Sequence, residues 1–123
     1  MKKLLILLAL LVFLPFRSQA EEQKTESYWT CFQVGTMEVG IKESYNTLAI
    51  SDIYVSNGSY DKNAEKFLKI IKKQTKDRFM PSFEPSCVEN QNYGKIVKLW
   101  EDKIRTAMKR KFMVFHIILS NTD

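Results

Sequence analysis

Apolar residues recur along the chain with two different periods, and the changes of period mark out the elements. Tyr28-Trp29-Thr30-Cys31-Phe32-Gln33-Val34 is aromatic, β-branched or apolar at every position but Gln33, which predicts a strand. Gly35-Thr36 suits a two-residue turn, and Met37 to Lys42 then alternates, with Met37, Val39 and Ile41 on one side of a second strand. After a turn at Glu43–Asn46, the stretch Thr47–Val55 predicts a third strand. Asp52 lies inside it, and marks an edge, a bulge or a carboxylate held by hydrogen bonds.

The period lengthens after Ser56-Asn57-Gly58-Ser59, a turn signal that is also an N-glycosylation sequon. Ala64, Phe67, Leu68, Ile71 and Thr75 recur at intervals of three and four and predict a helix from Asp61, as its cap, to Phe79, ended by Met80-Pro81. Phe83–Val88, with Pro85, reads as an edge strand or extended link. Tyr93, Ile96, Val97, Trp100, Ile104, Ala107 and Met108 form the apolar face of a second helix, Tyr93–Arg110, capped by Asn90 or Asn92. Phe112–Leu119 is apolar except for His116 and predicts a central strand covered on both sides. The order βββ-α-β-α-β is that of an α+β domain: a mostly antiparallel sheet with two helices on one face, a ferredoxin-like or related two-layer sandwich.

Ahead of the domain, Lys2 and Lys3 precede an apolar run from Leu4 to Leu14, broken by Pro15 and followed by Ser18-Gln19-Ala20. Basic start, short apolar run and small residues at a cleavage site make residues 1–20 a signal peptide. As a helix the run would span roughly 16 Å, half a bilayer core. Residues 21–27 form a polar, disordered lead-in, 28–119 a single domain and 120–123 a short tail. The expected location is the periplasm or the medium.

This changes how charge is read. The full chain carries 19 basic and 14 acidic residues, net +5. Residues 1–20 hold three of the basic residues and none of the acids, so the remainder has 16 against 14, a net charge of +2. A chain so nearly balanced is not built as a general nucleic-acid binder. In an exported domain the two cysteines, Cys31 and Cys87, are expected to form a disulfide.

Candidate chemistry is sparse. Lys62, Lys66, Lys69, Lys73 and Lys76 make a stripe opposite the apolar face of the first helix, a candidate surface for an anionic polymer or anionic lipid. No aromatic residue interleaves with it, as single-stranded nucleic acid would require. His116 is the sole histidine, and a hydrolase built on it needs a nucleophile or an orienting carboxylate such as Asp52 nearby. No zinc spacing, phosphate loop or nucleophile elbow is present in the sequence, so no cofactor or metal is expected. The reading is a non-enzymatic exported module that binds a protein partner, of inhibitor, immunity or adaptor type. Such a module should present an exposed apolar or aromatic patch.

Overall fold

The computed structural model describes residues 26–120, so the expected signal peptide lies outside the described residues, as do residues 21–25 and 121–123. The elements are β1 (Ser27–Gly40), β2 (Glu43–Ser51), β3 (Tyr54–Ser56), α1 (Tyr60–Thr75), β4 (Phe79–Pro81), β5 (Ser86–Asn90), α2 (Tyr93–Lys109) and β6 (Met113–Ile117). The class is α+β, with a mostly antiparallel six-stranded sheet, two helices and a Cys31–Cys87 disulfide. Among the described residues no helix is long and apolar enough to cross a membrane.

β1 is the spine. One of its edges pairs with β2, from Phe32↔Ile50 to Gly40↔Glu43, and with β3 through Trp29↔Tyr54. The other edge pairs with β5 through Cys31↔Cys87 and with β4 through Thr36↔Met80. β6 lies beyond β2 and runs parallel to it.

β1 runs straight through Gly35-Thr36, where the sequence reading placed a turn; the chain reverses instead at Ile41-Lys42, with Lys42 at φ 65°. Gly35 serves a different purpose. A Cβ there would run into the Met80 carbonyl oxygen and lie 2.8 Å from Cζ of Phe79, so a glycine lets β4 close against β1. The third predicted strand is likewise two, because β2 stops at Ser51 and β3 resumes at Tyr54. Asp52, in the gap, accepts hydrogen bonds from the backbone N–H of Leu119 (2.7 Å) and from the N–H and hydroxyl of Ser120. It is the bonded carboxylate of the three alternatives.

α1 begins at Tyr60 behind Ser59, whose hydroxyl accepts from the Lys62 N–H, so Ser59 rather than Asp61 is the cap. The helix ends at Thr75, four residues short of Phe79, because Lys76 and Asp77 both adopt left-handed backbone (φ 52° and 61°). Phe79 therefore starts a strand. α2 follows its prediction closely: Asn92 is the cap and accepts from the Lys95 N–H at 3.1 Å.

The helices do not share one face. α1 packs Phe67 and Ile71 on Trp29, Cys31, Ala49 and Ile117; α2 packs Trp100, Ile104 and Ala107 on Phe32, Val34, Leu48 and Ile50. Adjacent residues along β1 and β2 fall in different clusters, as the period-two pleat requires for two opposite faces. Topology explains this. The crossover through α1 passes from β2 over β1 to β4 and β5, and the crossover through α2 returns across the whole sheet to β6. Parallel crossovers share one hand, so two that travel in opposite directions put their helices on opposite sides. The return also leaves β6 at the edge of the sheet rather than at its centre, with His116 and Ile118 exposed.

Candidate functional site

The α1 side of the sheet is closed around the disulfide. Cys31 and Cys87 face each other directly across β1 and β5, Cα–Cα 4.1 Å, and both are buried. Trp29 lies in the same cluster and donates its indole N–H to the Ser56 carbonyl at 3.2 Å. Tyr54 donates its hydroxyl to Asn63 Oδ1 at 2.8 Å, 3.4 Å from Cys31 Sγ. Burial, with the Asp52 carboxylate nearby, pushes the Tyr54 hydroxyl well above the ordinary tyrosine range. The phenol is therefore a fixed neutral donor. The disulfide, Trp29 and Tyr54 are buried here, and a polar depression reaches Trp29 and Cys87 at the end of this face.

The α2 side is open. A cleft of about 520 Å³ lies along the helix. Its apolar lining comes from Phe32 and Val34 on β1, Leu48 on β2, Leu99 and Ala107 on α2, and Phe112 just before β6. Phe32, Val34, Leu99 and Phe112 are only half-buried. The helix is seated by buried Ile96 and Ala107, by Tyr93 tilted against Tyr28 (centroids 5.0 Å apart), and by the Trp100 indole N–H donated to the Ser51 carbonyl at 2.9 Å. The flank beside this seat, Lys95, Lys98, Leu99, Asp102 and Thr106, overhangs the cleft.

That flank carries the charge. Lys95, Lys98, Lys103 and Arg110 line the cleft, and Asp102 is its one acid. Asp102 is paired with Arg105 at 3.2 Å in an exposed ion pair. Lys103 Nζ sits 4.7 Å from the centre of the Phe32 ring, holding an ammonium group against the apolar lining. The cleft thus joins an apolar floor to a cationic rim.

The other candidates fare differently. On α1, Lys62, Lys69 and Lys73 are exposed, and no lysine forms an ion pair among the described residues. Lys66 folds onto the Tyr54 ring, 5.5 Å from its centre. Lys76 is the left-handed cap, past the last helical turn, so the stripe is shorter than its spacing implies. His116 is exposed on β6 and tilts against Trp100, ring centres 5.9 Å apart, while Asp52 is committed to Leu119 and Ser120. No three His, Cys, Asp or Glu side chains cluster as metal ligands among the described residues. A second, wider depression is polar, lined by Asn57, Glu89, Asn90 and Gln91 around the buried Trp29.

Sequence reasoning missed the cleft because its apolar members all have core-like spacing. A signal was present: Lys95, Lys98, Asp102, Thr106 and Arg110 follow one another at intervals of three and four, a charged stripe directly beside the apolar face of α2. No family model, curated protein or solved structure matches the chain.

Proposed function

We propose that the protein is an exported, non-enzymatic binding module, and that the α2 cleft is its receptor surface for an apolar group carried beside a negative charge. One observation carries the reading: an exposed apolar floor framed by four cations, with one acid already paired. Concave, mostly apolar sites with a few charged groups are the usual form of a ligand site. Export is supported by the buried Cys31–Cys87 link, which an oxidising compartment would form and maintain, and by the signal-like residues 1–20. An occupant would lay its apolar part on the floor and set its negative charge against the rim. Against catalysis stand the surroundings of His116: an aromatic neighbour, and an Asp52 carboxylate engaged elsewhere.

A photo-crosslinking amino acid tests the location. Placed at Leu99, on the cleft, it should give an adduct in cells that export the protein; placed at Lys69, on α1, it should not. The reverse pattern would move the working surface to the lysine stripe. The second reading, a polyanion binder, rests on the exposed and unpaired state of Lys62, Lys69 and Lys73, and predicts binding that falls steeply with salt.

A further inference from the structure

We infer that the occupant of the α2 cleft is a single-chain carboxylate amphiphile, a free fatty acid. This rests on the cleft being the receptor surface. Size argues first. Twelve residues line the cleft, whereas a stable protein partner engages about 20–30 on each side. A volume of about 520 Å³ falls within the range of roughly 300–1,000 Å³ found for small-molecule sites.

Arrangement argues next. The apolar residues run on from β1 and β2 to Phe112, and the polar residues of the lining are all exposed, so the floor suits an unbranched hydrocarbon. The charge is held close by. Lys103, stacked on Phe32, puts its ammonium at the edge of the floor, and Lys98 lies on the same flank of α2. A ligand that satisfies both features has its anionic head bonded directly to its apolar chain. Head and rim meet by charge-assisted hydrogen bonding, for which a carboxylate and an ammonium suffice. Asp102, the one acid of the rim, is paired with Arg105, so the rim offers the head group cations and the Thr106 hydroxyl.

The test is a titration of the purified, oxidised protein followed through its methyl resonances, with dodecanoate, dodecyltrimethylammonium and dodecyl maltoside, each below its micelle concentration. Dodecanoate should bind one to one and shift the methyls of Val34, Leu48 and Leu99. Lys98→Glu combined with Lys103→Glu, both exposed positions, should weaken it at least tenfold. The cationic amphiphile should not compete. Equal binding of the cation, or indifference to the charge reversal, would overturn the carboxylate assignment and leave the cleft as the site, since the methyls would still respond. Silence of these methyls to all three compounds, with a protein adduct still formed from position 99, would assign the cleft to an acidic protein segment instead. Silence together with no adduct would remove both the ligand and the site.

Discussion

The two faces of the sheet receive one helix each, of nearly equal length, yet they end in different states. Under α1, Phe67 is fully buried against Cys31, Ala49 and Ile117, and a covalent bond crosses the same layer. Under α2, Phe32 and Val34 remain half in solvent beneath an overhanging cationic flank. The residues differ accordingly: small Cys31 and Ala49 lie in the cluster under α1, whereas the larger Phe32, Val34 and Leu48 lie in the one under α2. A domain of this size has a limited core. Here most of its closure lies on one face, which leaves the other free to remain open.

Removing the disulfide should produce the largest difference. Cys31→Ala with Cys87→Ala frees a 56-residue loop, and the loop-entropy relation puts the loss at about 4 kcal/mol. Urea denaturation of both forms measures it. A loss below about 1 kcal/mol would show that packing alone closes the first face.

A matched pair of truncations compares the faces directly. Phe67→Ala, at a fully buried site, should cost about 3–5 kcal/mol. Leu99→Ala, at the half-open cleft, should cost about 1 kcal/mol. Equal losses would mean that the cleft is as much a part of the core as the α1 layer.

The smallest effect sharpens the account of the closed face. Tyr54→Phe removes one buried hydrogen bond to Asn63 and should cost about 1 kcal/mol at neutral pH. The pH dependence has a definite sign. The folded state holds the Tyr54 proton more tightly than the unfolded chain, so this contribution is complete below the unfolded value of about 10 and is lost as pH rises above it. The wild-type protein should lose stability more steeply than Tyr54→Phe between about pH 10 and 12. Parallel slopes for the two proteins would place alkaline sensitivity elsewhere.

Local signals were legible in the sequence and global ones were not. The second helix, a cap at one of two asparagines before it, and the disulfide follow from spacing and residue type. Gly35-Thr36 misled because glycine followed by a small polar residue is turn chemistry. The unbroken alternation Cys31, Gln33, Gly35, Met37, all buried, was the better guide. Phe79 misled because it stands four residues after Thr75, in helical register. Nothing in the local pattern reports that Lys76 and Asp77 turn left-handed. The division of the helices between two faces depends on strand order, which emerges only when both edges of β1 are filled. For the site, the cationic flank of α2 was visible, but its overhang was not. How far a helix stands from a sheet depends on side chains from several strands at once.

One further consequence follows from the pairing of Cys31 with Cys87. The two thiols meet only if β5 joins β1 in the correct alignment, because a shift of one residue turns Cys87 to the opposite side of the sheet. A misaligned sheet would leave both cysteines reduced. Oxidation therefore acts as a proofreading step, sealing only those chains in which this long-range pairing of β1 with β5 has already been made correctly.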